Sequence, residues 1–344
     1  MPHGWPQESL DIWMQNAGAD LHWHGDLSIP ITHAYPARLP DTSYITSLRS
    51  GWFDYAAQEL GDQKLAASGV RLAGQMARCM GFDRLILVGN FPVSTNAWPL
   101  DTHHALTEAC LDTVRAHATH FVGIRNLQKE KNASVMHALR TQGFHALPAR
   151  VVYEFDLREG LKSKPSHLMR DRSALAKSNL AIHIKSEISN VQASRMRELY
   201  QAIYIQKHSV LNAQYTTQFF ADMVQSQLMQ ALVLENREGT IMAFAMLYRQ
   251  GDTLTVPALG YDTEADIDGL YRLLFAAIHQ YTQTQQLLLN YSSGAGDFKR
   301  KRGGLPRMEY TLLRAPFQWQ RRLLSWIESK TAPLQVDQLI KLGA

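Results

Sequence analysis

The sequence predicts an α+β protein, α/β by the alternation of its elements, in two halves of strands and helices. Three observations predict it. Apolar residues at helical spacing alternate with short apolar or alternating runs of strand length across most of the chain. In the second half, two helical stretches precede three strand-like runs divided by turn signals at 236–239 and 250–252, and a helix and a strand follow. The length, 344 residues, is enough for two domains with separate cores.

The elements follow in order. The first sixty residues, with prolines at 30, 36 and 40, read as extended and turn-rich. Leu60, Leu65, Val70, Leu72, Met76 and Met80 set a helical period over 55–80. Residues 84–89 form a short buried strand. A helix over about 101–117, a strand at 120–124, a helix from 132 broken by Gly143, and an alternating strand at 149–157 complete the first half. The predicted domains are 1–158, a linker at 159–165, 166–315, and a helical extension at 316–344 carrying Trp319, Leu323, Leu324, Trp326 and Ile327. Within 166–315 the reading is helix 166–178, strand 180–185, helices 190–206 and 217–228, strands 230–235, 240–249 and 253–259, helix 268–284, then a strand from Leu287.

Composition limits the function. Hydrophobic content of 45% and charged content of 19% describe a globular chain rather than a disordered one. A net charge of +4 permits an anionic partner without demanding one. Cys79 and Cys110 make no CxxC motif or disulfide framework, which implies a reducing compartment. No secretory signal and no apolar run of membrane-spanning length is visible, so the expected location is the cytoplasm. His22, His24, His103 and His104 lack convergent Cys or carboxylate spacing, so no metal site is expected. There is neither a Gly-x-Ser-x-Gly elbow nor a Walker loop. Nothing points to DNA, and the oligomeric state is not legible.

The most informative stretch is 287–310. An apolar strand runs into Asn290, Tyr291 and Ser292, then a Ser-Gly-Ala-Gly turn, then Phe298 and four cations, Lys299, Arg300, Lys301 and Arg302. Such a loop can gather cations and backbone N–H groups around a phosphate or a developing oxyanion. A solvated basic turn is the commoner reading of a short charge run. Asp297-Phe298-Lys299-Arg300, Gly303-Gly304 and Glu309-Tyr310, with Arg170-Asp171-Arg172-Ser173 and Gly260-Tyr261-Asp262 upstream, resemble the FemABX-like branch of the GNAT acyltransferase superfamily over about 165–313.

That resemblance implies tandem GNAT-like domains, each a mixed, mainly antiparallel sheet flanked by helices, the first degenerate, and transfer of an acyl group to an amine. No cofactor is held permanently; acyl-CoA is the preferred co-substrate and aminoacyl-tRNA the alternative. A non-catalytic ligand- or partner-binding protein is the reading from another class. Lys299 aligns with the lysine that neutralises charge at the transferring group, with a surface lysine as the ordinary alternative. Arg300 and Arg302, beside Phe298, suit phosphate contacts. Tyr291 ends its strand where it can protonate a leaving group, or else be a hydrogen-bonded core tyrosine; Ser292 and Tyr261 stand similarly. His208 can take a proton from an ammonium nucleophile, or cap a helix, and Tyr204, Asn212 and Tyr215 line the same acceptor wall. Arg170 and Arg172 face the interdomain cleft or form surface ion pairs. Gly269 begins the helix expected to receive a donor phosphate, but the full glycine loop is missing and 263–268 is acidic instead.

Overall fold

A computed structural model of the chain describes residues 20–24, 29–34, 49–60, 63–82, 84–89, 103–159 and 165–332. Its strands are β1 (Asp20–His24), β2 (Ile29–Ala34), β3 (Leu85–Val88), β4 (Phe121–Leu127), β5 (His145–Asp156), β6 (Ala181–Lys185), β7 (Met229–Glu235), β8 (Ile241–Gln250), β9 (Thr253–Thr255), β10 (Leu259–Tyr261), β11 (Leu288–Asn290) and β12 (Leu305–Arg314). They join one twelve-stranded sheet in the order β1-β2-β3-β4-β12-β5-β11-β9-β8-β7-β6, with β10 beside β8.

Among the described residues, only β3–β4 and β9–β11 pair in parallel. Each parallel pair needs a crossover, supplied by α3 (His103–Ala116) and α8 (Leu270–Thr284) respectively. After its parallel pair, each half gives its last strand to the other. β5 lies against β11, while β12 lies between β4 and β5. The sequence reading counts 305–314 with the second half; its hydrogen bonds instead tie the halves into one sheet.

Helices cover both faces. Alternate strand residues, including Ile86, Val122, Ile124, Val151, Leu232 and Ala245, face a core shared by α3, α4 (Ala133–Thr141), α5 (Ser166–Lys177) and α8. On the opposite face of the first half, Leu85, Leu87, Phe121, Leu147 and Leu313 meet Ala77 of α2 (Lys64–Cys79) and Leu324 of α10 (Gln318–Thr331). On that face of the second half, β7 and β8 pack under α6 (Asn190–Tyr200) and α7 (Thr217–Gln225).

Several boundaries differ from the sequence reading. The helix expected at 55–80 is a π-turn (Ser50–Asp54), α1 (Tyr55–Glu59), and α2. The helix expected to end at 206 changes to a π-helix over Gln201–His208, closed by Ser209 N–H donating to the Tyr204 carbonyl at 3.0 Å. The 253–259 strand is interrupted. Thr255 pairs with Tyr248 and Leu259 with Ala245, so Val256, Pro257 and Ala258 oppose only Met246 and Leu247, which is a β-bulge. Pro257, lacking an N–H, suits that position. Residues 160–164 of the expected linker, and everything beyond 332, lie outside the described residues.

One buried group makes a testable pH prediction. His279 on α8 is fully buried, and Arg172 donates to its Nδ1 at 2.9 Å, leaving the proton on Nε2. Burial, with the Arg172 charge, lowers its pKa from 6.5 to about 3. The folded state therefore binds fewer protons than the unfolded state between those values. Stability is fully present above pH 6.5 and declines as pH falls toward 3, by up to roughly 5 kcal/mol. Urea unfolding across this range should show the acid slope in the wild type and a shallower one in His279→Gln.

Candidate active site

The bulge gives the site its shape. β11 pairs with β9 only as far as Asn290 opposite Thr255. Beyond that point the chain of β9 turns through Pro257 toward β10, while the chain of β11 turns away through Tyr291. The two strands part and open a cavity of about 380 Å³. Val256, Pro257, Leu259 and Tyr261 line one side, and 291–295 with Lys299 the other. The π-helix and the loop after it supply Ile203, Tyr204, Lys207, His208, Asn212, Ala213 and Tyr215. The first half contributes Arg125, Asn126 and Arg150. No Asp or Glu is among these described lining residues.

The aromatic wall is held by ring contacts. Tyr200 stacks on Tyr204 with centroids 4.6 Å apart and meets Tyr215 at 5.1 Å. The Tyr200 hydroxyl donates to the Ala213 carbonyl at 2.9 Å, fixing the loop beneath it. Asn212 Nδ2 donates to the carbonyls of Tyr204 and Ser209, so its amide holds the π-helix end rather than standing free.

Lys299 is 2% exposed. Its Nζ donates to the carbonyls of Tyr291 at 2.7 Å, Ser293 at 2.8 Å and Ser292 at 3.2 Å. An ammonium has three donors, and all three are used. The nitrogen also lies 4.9 Å from the Tyr291 ring centroid and 5.6 Å from that of Tyr153. Burial, then the Arg150 charge, pulls its pKa down to about 7. The lysine is therefore a clamp on 291–293, and its charge, not a spare N–H, is what the cavity feels. The turn is held in a costly shape: Ser292 (φ 59°) and Ala295 (φ 46°) are left-handed without being glycine.

Tyr291 is buried at the cavity wall, its hydroxyl within reach of the Tyr271 phenol. Burial, with the Tyr271 and Tyr204 phenols nearby, raises its pKa well above 10. It keeps its proton and is a donor.

The other cations of the turn have partners within the chain. Arg302 pairs with buried Asp171 at 2.5 Å and stacks 3.4 Å from the Phe298 ring centroid. Phe298 itself packs on Tyr271 and Phe275. Arg300 donates to the Tyr153 hydroxyl at 2.9 Å, and Lys301 pairs with Asp297 at 2.6 Å. None of Phe298, Arg300 and Arg302 lines the cavity. Arg170 is exposed on α5, and Arg172 reaches His279 and Gln283 on α8, so neither reaches it. Asp171 between them is the residue that ties α5 to the cationic turn.

Gly269 precedes α8 in a left-handed conformation and does not line the cavity either. The approach to that helix carries Asp262, Glu264, Asp266 and Asp268. Burial pushes the Asp262 pKa up, but the Glu264 and Ala265 N–H groups and Arg195, at 2.5 Å, outweigh it and hold the carboxylate. Asp268 pairs with Arg272 at 2.9 Å.

Of the residues singled out in the sequence, Lys299, Tyr291, His208, Ser292, Tyr261, Tyr204, Asn212 and Tyr215 meet in one cavity. Arg125, Asn126, Arg150 and Lys207 were missed. Arg150 was visible as a cation opening an alternating strand; Asn126, left-handed at φ 62°, gave no sequence signal.

Residues 168–302 match the family model described as an acetyltransferase (GNAT) domain. The chain is similar to the solved structure of L-PGS from Bacillus licheniformis, with 13% identity, 96% of this chain and 98% of that chain covered, and a TM-score of 0.55. It is similarly related to the C-terminal domain of a protein from Agrobacterium fabrum, named provisionally a lysylphosphatidylglycerol synthetase (13% identity, 96% and 98% covered, TM-score 0.54). No curated protein matches it. Residues 168–302 thus carry a GNAT acyltransferase domain, and the chain as a whole shares the fold of these two solved structures.

Proposed function

We propose that this chain, which carries a GNAT domain over residues 168–302, is an aminoacyltransferase that moves an aminoacyl group from the 3′ ester of a charged tRNA to an amine. The observation that carries the choice of donor is the acidic approach to α8. A CoA diphosphate would need that helix N-terminus, whose approach carries Glu264 and Asp266 beside the Asp262–Arg195 and Asp268–Arg272 pairs. The thioester donor preferred from the sequence is disfavoured for this reason. The cations lie across the cavity instead, in Arg125, Lys207, Lys299 and Arg150, the last held through Nε by buried Glu309 at 2.8 Å. The name of the Agrobacterium protein, an aminoacylated lipid's synthetase, supports an aminoacyl donor by likeness of fold alone.

In this reading the amine attacks the ester carbonyl, and the bond from that carbon to the 3′-oxygen breaks. Tyr291 gives its proton to the departing oxygen. His208 takes the proton the nitrogen sheds, and the Tyr291 phenolate recovers one through solvent, so the balance closes. Lys299 holds the 291–293 carbonyls and places positive charge beside the developing oxyanion. Arg125 and Arg150 receive a phosphate of the terminal nucleotide, while Tyr204, Tyr215 and Tyr261 enclose the acyl group.

Thermal unfolding with CoA, acetyl-CoA, or an RNA minihelix carrying an amide-linked aminoacyl end tests the donor. At a hundredfold excess over Kd, a true ligand adds about 2.7 kcal/mol. The minihelix should raise the midpoint and CoA should not. A shift with CoA alone would restore the thioester, and no shift with any of them would favour a non-catalytic binding protein.

A further inference from the structure

We infer that the face formed by α2 and α10 is a docking surface for an anionic lipid bilayer, on which the protein lies without crossing it. Both helices pack on the same side of the sheet, against the cluster of Ala77, Phe82, Leu87 and Leu324. Gln320 Nε2 joins them by donating to the Met80 carbonyl at 2.7 Å. Their outward sides are therefore both turned away from the core on one side of the molecule.

Those outward sides are apolar where solvent would favour polar residues. On α2, Leu65 is 92% exposed, Leu72 63% and Met76 58%, a set spaced by seven and four residues and so on one stripe. Lys64 and Arg71, also exposed and seven apart, run beside it, and α2 contains neither Asp nor Glu. On α10, Trp319 is 50% and Trp326 59% exposed, with exposed Arg322 between them and Lys330 one turn further. The acid of α10, Glu328, is turned inward onto Arg140 and His145. The outward charge of both helices is thus cationic.

Charge complementarity selects the occupant. Tryptophans beside arginine and lysine suit the headgroup boundary, where the ring is half apolar and the cations meet lipid phosphates. A second copy of this chain would bring the same cations face to face. No described helix is long and apolar enough to cross a membrane, so the contact is peripheral. This inference does not depend on the reaction proposed above, and its test reads no activity.

The full chain is sedimented with vesicles of phosphatidylcholine alone or mixed with phosphatidylglycerol, while tryptophan emission is followed. Partitioning into the anionic vesicles should exceed that into neutral ones by at least roughly tenfold, with a blue shift. Trp319→Ser/Trp326→Ser and Lys64→Glu/Arg71→Glu should each lose about tenfold of it, with melting unchanged because the positions are exposed. Equal partitioning into both vesicles, or full binding by both variants, overturns the inference. So does a dimer in light scattering that these substitutions dissociate.

Discussion

Lys299→Ala lowers turnover by on the order of a hundredfold or more while the chain still folds. Removing the ammonium strips a hydrogen bond from each of the carbonyls of Tyr291, Ser292 and Ser293, and of these Ser292 keeps the Tyr153 N–H at 3.2 Å. Buried acceptors left unpaired cost about 1–3 kcal/mol. The strained turn at Ser292 and Ala295 loses the contact that imposes it. A shift of about 1 Å in the Tyr291 hydroxyl is enough for a hundredfold loss. The effect should fall on kcat more than KM, because the lysine has no N–H left for the substrate.

The same residue sets an expected pH dependence. With the pKa near 7, the clamp loses its proton as pH rises through that value, and turnover declines. Lys299→Met lacks this limb. Stability moves the other way. The folded pKa lies below the unfolded value of 10.5, so the folded state holds fewer protons between about 7 and 10.5, and this group makes stability rise with pH there. Opposite slopes for activity and stability distinguish a buried clamp from a surface lysine, which would change neither.

Gly260→Ala destabilises the protein by about 1–3 kcal/mol and disables the aromatic wall. A Cβ at this position would lie 2.6 Å from the Leu199 carbonyl carbon and 2.7 Å from both Tyr200 N and the Phe244 ring. Two of those atoms are backbone of α6, so relief requires moving the helix that carries Tyr200. The Tyr200–Tyr204 stack and the π-helix then shift with it. Gly69→Ala is the control: nothing lies within 4 Å of its Cβ, and α2 should gain up to about 1 kcal/mol. Urea melts that found both substitutions neutral would refute the close packing of β10 on α6.

Much of this fold was legible because local pattern determines it. The hairpin at 230–249, the helix at 270–284 and the alternating strand at 149–157 announce themselves by period and turn chemistry. The exchange of β5 and β12 between halves was not legible, since strand order is a tertiary property that no local period encodes. Nor was the bulge at Pro257, where a single proline in an apolar run reads as strand. At the site, the cationic turn was legible, but which of its cations lines the cavity was not. Sequence places Lys299, Arg300 and Arg302 together; only the fold shows Arg302 spent on Asp171, from a helix 131 residues earlier. The cations facing the cavity from the first half, Arg125 and Arg150, lie on strands brought there by the same exchange.

The claim that the crevice at the parted strands receives a charged tRNA end is tested most directly by lysine footprinting. Lys207 is exposed and lines the cavity; Lys301 is exposed on the cationic turn and does not. Acetylation of both is read by mass spectrometry with and without saturating aminoacyl-amide minihelix. The account predicts protection of Lys207 with Lys301 unchanged. Protection of Lys301 while Lys207 stays reactive would contradict it.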